Sequence, residues 1–357
     1  MENQGTPENK KERKNAKTAG VGMALSLAVC LLILLIAIRA GSVYISLPDL
    51  LKIIGSHITG KPLPAEVDPM SDSIFWTIRT PRAITAFLVG GCLSVSGAVM
   101  QAVLQNPLAS SYTLGVSSGA SLGAAFVLLC GLTVSGISGF MLPLAGFVFG
   151  LLTVAAAMLL ASRIDRNVSN QTIVLIGMIM SLFVTGILNF MMTFYSDRSK
   201  QLWLWMTGSF SARNWTHCAI LTAVGAVCFV ILMLLSGRLD ILTFGELQAS
   251  SMGVEVKKTK IIAILICSLL TGVSVAFAGV IGFIDLAAPH VVRRIFGPSH
   301  KIVIPMSFIY GGAFMALCDL AARTVLSPRE IPVGAVTALV GAPFFAYVFF
   351  TKGRRAA

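Results

Sequence analysis

Ten apolar stretches run through this chain, near 21–40, 82–104, 112–131, 138–160, 172–195, 215–236, 260–280, 282–296, 302–321 and 333–351. A helix needs about 20 such residues to cross the hydrocarbon of a bilayer, and only the eighth stretch is clearly short of that. Within hydrocarbon every backbone N–H and C=O must be satisfied inside the protein, so the pattern commits the chain to a bundle of helices. Composition agrees: of 357 residues, 56% are hydrophobic and only 12% charged, about half the charged share of a soluble domain. One water-soluble core stops growing near ~250–300 residues. The expected fold is therefore an all-α integral membrane protein of about ten spans, with residues 1–20 as a polar, disordered tail and residues 21–357 as one transmembrane domain.

Charge sets the orientation. The net charge of +12 does not point to nucleic acid, because the basic residues lie in short segments between apolar runs and form no stripe interleaved with aromatics. Counting from a cytoplasmic start, 17 Lys and Arg fall on the side of the N-terminus and 10 on the other. The positive-inside rule then places both termini in the cytoplasm. The tail carries Lys10, Lys11, Arg13, Lys14 and Lys17, which suit anionic lipid. The run Val21 to Ile38 is longer than a signal-peptide core and lacks a small-residue cleavage signature, so it reads as an uncleaved first span. On the outer side, segment 41–81 is rich in Pro and Asp. Segment 196–214, bounded by Trp203, Trp205 and Trp215, suits a short helix at the headgroup boundary.

Several motifs carry no chemistry. Gly55 to Lys61 resembles the start of a phosphate-binding loop, but Pro62 stands where a Ser or Thr hydroxyl should meet magnesium, and no strand precedes it. The chain thus has no nucleotide site of its own. The histidines His57, His217, His290 and His300 are scattered, with no metal spacing and no nucleophile triad. The seven cysteines form no Cys-x-x-Cys pair, so neither a disulfide framework nor a zinc site is indicated. No bound cofactor or metal is expected, and a membrane enzyme is the weaker class.

Other features carry structure or function. Gly115, Gly119 and Gly123 form a four-residue ladder in the third span, a pattern that lets helix backbones approach closely. Asp285 falls within or near the membrane, where a carboxylate must face a cavity, a partner or the aqueous edge. It is a candidate for the ligand path, with a span-end position as the alternative. Asp319 and Arg323 are spaced for an i,i+4 pair. Arg79 and Arg82 bracket Pro81 at the outer entrance of the second span, placed either to snorkel or to receive an acidic partner. Between Leu239 and Val256, the segment Gly245-Glu246-Leu247-Gln248-Ala249-Ser250-Ser251-Met252-Gly253 reads as a short cytoplasmic helix. Leu247 and Met252 there invite a protein partner, and Gly253 suits a helix stop. Finally, Gly97-x9-Pro107 and Gly279-x9-Pro289 share a spacing, and the same offset of 182 pairs Gly115 with Gly297. Those segments run in opposite directions, as in an inverted-topology repeat; chance is the alternative in a chain with 33 glycines.

The order and spacing of several short blocks resemble the FecCD/BtuC family of permeases, which import iron-siderophores, haem or vitamin B12. The blocks are Arg79-Thr80-Pro81-Arg82, Ser96 to Gln101, Asn106 to Ala109, Leu114 to Ala120, Gly208-Ser209, Gly245-Glu246, Gly282-Phe283, Pro289-His290, Glu330 to Gly334 and Gly341 to Phe344. The resemblance covers nearly everything after residue 40. It implies a BtuC-like (type II) ABC importer permease in the bacterial cytoplasmic membrane. The implied partners are a second permease subunit (identical or a paralogue), two cytoplasmic ATPase subunits that hold ATP and magnesium, and an extracytoplasmic binding protein. It further implies that Arg79, Arg82 and Arg323 receive acidic residues of that binding protein. Gly245, Glu246, Leu247, Ala249, Ser250, Met252 and Gly253 would form the coupling helix seated in an ATPase groove. At Asp285 the sequence departs from the small residue usual in the family. The rival reading is a secondary transporter driven by an ion gradient, for which Asp285 is the one serious ionisable candidate.

Overall fold

The computed structural model describes residues 7–41, 45–132 and 138–353. Ten of its helices correspond to the ten expected spans: α1 (Pro7–Arg39), α4 (Thr80–Val103), α5 (Val116–Leu128), α6 (Ser138–Ile164), α7 (Asn170–Phe194), α9 (Trp215–Leu242), α11 (Val256–Ala278), α12 (Ile284–Phe296), α13 (His300–Thr324) and α14 (Val333–Gly353). Four short helices complete the set: α2 (Leu47–Thr59), α3 (Pro69–Ser73), α8 (Ser196–Met206) and α10 (Glu246–Ser251). Helix α1 starts at Pro7, within the segment read as a polar tail; from Pro7 to Ala19 that stretch carries Lys, Glu and Ala, good helix formers, and no glycine.

Helix α4 is the hub. It packs against α13, α11, α12 and α9, and nearly all of its residues are buried. Its small residues explain how. A side chain at Gly90 would strike the Gly311 carbonyl, and one at Gly91 would strike the Phe308 ring. Such contacts hold helices in lipid by dispersion, which needs close backbone approach. By contrast, less than a third of the apolar window of α7 or α9 is buried in the chain. Leu182, Phe183, Phe190, Val227, Val230 and Leu234 stand exposed, as expected of faces turned to lipid or another subunit.

Helices α5 and α12 are each 13 residues long, too short to span alone. Each opens on a left-handed residue, Gly115 at φ 83° and Phe283 at φ 70°. Depth is fixed by neighbours: Gly97, well inside α4, lies against the backbone of Asp285, and Gly177, inside α7, lies against the Thr113 carbonyl. Both short helices therefore begin within the bundle; the stretches just before them, 109–115 and 279–283, are buried or half-buried in protein, where non-helical backbone is tolerated.

The packing repeats. α4 lies on α13 as α11 lies on α6; α12 lies on α4 as α5 lies on α11; α5 pairs with α6 and α7 as α12 pairs with α13 and α14. This is an inverted repeat of α4–α7 and α11–α14. The glycine and proline echo does not carry it, because Gly97 sits inside α4 while its supposed equivalent Gly279 ends α11.

Outside the bundle, Ile53 of α2 packs with Ile45, Val67 and Phe75 in a small separate core. Ser46 caps α2, accepting from Asp49 N. Gly55 to Lys61 forms the end of α2 and its left-handed stop at Gly60, not a phosphate cradle. His57 stacks on Trp76 with centroids 4.2 Å apart and bonds Asp72 at 2.8 Å.

Candidate functional site

At the end of the bundle where α4 begins, Arg82, Asp319, Glu330, Ser211 and Arg323 form one polar network, with Arg79 beside it. A π-helical turn, Ile74–Arg79, joins α3 to α4, and such turns re-aim side chains. Arg82 Nε donates to Asp319 Oδ1 at 2.9 Å, and its two terminal nitrogens donate to Glu330 at 2.7 and 3.2 Å. Ser211 Oγ donates to Glu330 at 2.6 Å. Arg323 pairs with the second Asp319 oxygen at 3.4 Å and donates to the Ala37 carbonyl. Arg79 donates to the Arg39 carbonyl at 3.0 Å. The sequence reading places Arg79 and Arg82 at the outer entrance of the second span, to snorkel or to receive an acidic partner; in this chain they are buried to 4% and 7% exposure and turned inward. Asp319 and Arg323, spaced like a surface pair, are likewise buried. The reason is that α4, α13 and the 325–332 turn converge here, and Asp319 on α13 faces Arg82 on α4. Only Glu330, with a side chain 42% exposed, reaches the rim. The Arg82 guanidinium, followed by the Ser211 hydroxyl, holds its carboxyl below the usual range.

At the opposite end, α10 projects between α9 and α11. Gly245 (φ 117°) and Gly253 (φ 81°) bracket it in conformations that a side chain disfavours. Phe244, Leu247 and Met252 are 73%, 84% and 63% exposed, an unpartnered apolar surface. Ser250 is exposed as well, but Ala249 is fully buried and anchors the helix. Ala249 therefore supports this surface without belonging to it. Glu246 bonds Lys260 at 2.9 Å.

The glycine ladder divides. Gly119 and Gly123 meet the backbone of α6 at Phe149 and Ala145, whereas Gly115 precedes the helix and starts it at positive φ. Asp285 is 1% exposed. Its Oδ2 accepts from Ser110 Oγ at 2.5 Å, Ser111 N at 3.0 Å and Ser111 Oγ at 3.1 Å. Gln101 donates to its backbone carbonyl and also accepts from Arg293. Asp285 is thus a staple between α12 and the segment entering α5, and it lines none of the described cavities. Its hydrogen bonds give Asp285 a structural role beside the ligand-path and span-end readings. Asp285→Asn should keep uptake within about twofold, since the amide oxygen still accepts those bonds; Asp285→Leu, which orphans them, should cost about 1–3 kcal/mol. Vesicle uptake and thermal unfolding check both.

A cavity that mixes uncharged polar and apolar residues lies elsewhere. About 380 Å³ opens between Ser117, Ser118 and Ser121 of α5, Thr185 and Asn189 of α7, and Trp203 of α8. No carboxylate or cation lines it. Sequence reasoning missed these residues, though the signal was present: uncharged polar side chains four apart on otherwise apolar spans share one face.

Comparison with known proteins agrees with this architecture. The FecCD transport family matches residues 29–351. An uncharacterized ABC transporter permease, YvrB of Bacillus subtilis, is 37% identical over 90% of this chain and 91% of its own length. The Fe(3+)-citrate import permease YfmE of Bacillus subtilis is 32% identical over 93% of this chain and 95% of its own. Other relatives are named for import of molybdate and vitamin B12. A solved chain assigned to an ABC transporter of the metal-chelate type, in an inward-facing conformation, superposes with TM-score 0.79 at 28% identity, covering 94% of this chain and 99% of that one.

Proposed function

Because the chain belongs to the FecCD transport family and is a permease of the ABC importer type, we propose that it carries an iron chelate across the bacterial plasma membrane. The observation behind the cargo is the cavity between α5, α7 and α8, lined by hydroxyls, an amide, Met and Trp without formal charge. A bare divalent cation would call for carboxylates, whereas a chelate arrives with its metal already coordinated. The named import of ferric citrate by one relative and the metal-chelate assignment of the solved neighbour support the same class. Cells with this chain as their sole importer, given labelled ferric citrate, a ferric siderophore, cobalamin or molybdate, should take up a ferric chelate; uptake of cobalamin or molybdate alone would refute it.

Driving force comes from ATPase subunits docked on Phe244, Leu247 and Met252 of the α10 end, with ATP and magnesium held by those partners. An exposed apolar cluster of this kind is a common seat for a partner. Leu247→Asp should cut ATPase co-purification at least about tenfold, as hot-spot losses of 2 kcal/mol or more do; unchanged recovery from detergent would argue against this seat. Two permease subunits, alike or paralogous, enclose the path through exposed faces such as that of α7. An extracytoplasmic binding protein meets the end that carries Glu330. There Arg79, Arg82 and Arg323 act from within, and direct docking on Arg82 would first require opening its bond to Glu330. An ion-gradient mechanism through Asp285 is not favoured, because that carboxylate is engaged by Ser110 and Ser111.

A further inference from the structure

Lys260, on the first turns of α11, is a lysine with no exposed surface. Its ammonium donates to Glu246 Oε1 at 2.9 Å and to the Val168 carbonyl at 2.7 Å. Those acceptors belong to different parts of the chain: Glu246 opens α10, and Val168 lies in the turn between α6 and α7. Val168 takes φ 54°, a conformation rare for a β-branched residue, and one that the turn must hold in place. Asp165 holds it, accepting from Asn167 N at 2.9 Å, Ser169 N at 2.8 Å and the Thr172 hydroxyl at 3.3 Å. Those bonds, the Ser169 ones first, pull the Asp165 carboxyl down to about 2. Lys257, one helical turn earlier, donates to the Arg166 carbonyl of the same turn at 2.8 Å. Beyond Lys260, α11 is largely buried and packs against α4, α6 and α9. Separating a buried ammonium from its partners is strongly unfavourable, so these bonds tie α10, the α6–α7 turn and α11 together as one body at this end.

We propose that Lys260 is the positioning residue that transmits displacement of α10 into the transmembrane bundle, by fixing α10 to α11 and to the α6–α7 turn. The proposal rests on α10 being the seat of the ATPase. Its distinctive consequence is uncoupling. An α10 released from Lys260 still presents Phe244, Leu247 and Met252 to a partner, but its movement is no longer passed to α11.

The test uses the full complex purified with its ATPase subunits and reconstituted in vesicles. In Lys260→Met, uptake per ATP hydrolysed should fall about fivefold or more, the lower end of typical coupling between sites, while the ATPase subunits still co-purify. Lys260→Arg, which keeps charge and donors, should restore most of the ratio. An unchanged ratio in Lys260→Met, or loss of assembly that Lys260→Arg does not repair, would overturn the proposal. A second measurement needs no substitution at Lys260. Spin labels at the exposed positions Asn167 and Ser250 should keep one separation in the nucleotide-free and ATP-bound complex, and a separation that changes would refute the single body. Absence of any ATPase from the wild-type preparation would instead remove the coupling reading, and this proposal with it.

Discussion

Arg82→Met should destabilise the chain by about 3–5 kcal/mol, the usual loss when one partner of a buried ion pair is removed. Asp319 would keep only Arg323, at 3.4 Å, as a cation, and Glu330 would keep only Ser211 among its described donors. The two carboxylates sit on separate elements, so the loss also loosens α4 from α13 and from the turn leading into α14. Thermal unfolding of the detergent-solubilised chain measures the effect. Arg82→Met combined with Asp319→Asn should lose less than the sum of the single changes, because the second removes the charge that the first strands. Unfolding like wild type, with affinity for a binding protein alone reduced, would mean that Arg82 faces outward instead. Acid provides a separate check. The Glu330 carboxyl is depressed in the fold, so its contribution is complete above the ordinary carboxylate range. It is lost as pH falls through the lowered value.

The same network shows what a sequence can and cannot express. The helical segments, their order and the projecting helix at Glu246–Ser251 were legible because each depends on local hydrophobicity and turn residues. The burial of Arg82 was not, since it follows from Asp319, 237 positions away, and from Glu330 beyond it. An arginine beside Pro81 at a span end reads as snorkelling whenever its partners are unseen. Asp285 shows the same limit: a carboxylate in an apolar run suggests transport, and the sequence does not show that Ser110 and Ser111 bond it in space. Ala249 shows the limit within one short helix, where six residues cannot reveal which side is anchored. The cavity beside α5, α7 and α8 was written faintly, as Thr185 and Asn189 on one face of α7, but in an apolar span such residues draw less notice than charges.

Gly97→Val should prevent recovery of a folded, monodisperse protein. A β-carbon at this site would run into the carbonyl oxygen of Asp285, with the Asp285 carbonyl carbon at 2.6 Å and its Cβ at 2.7 Å. Two of these three are backbone atoms that no rotamer change can move, so α4 and α12 would have to separate. Overpacking commonly costs 1–3 kcal/mol. Here the cost is compounded, because separation also breaks the Gln101 bond to the Asp285 carbonyl and the Arg293 bonds to Gln101 and the Ala98 carbonyl. Each bond left unmade in a buried site adds about 1–3 kcal/mol. Gly237→Ala is the matched control: nothing lies within 4 Å of the added carbon, and alanine is the better helix former. Size-exclusion chromatography in detergent should show a wild-type peak for the control and an aggregated or absent one for Gly97→Val. A normal peak for both would mean that α12 does not start beside Gly97, and that the short helix is seated at another depth.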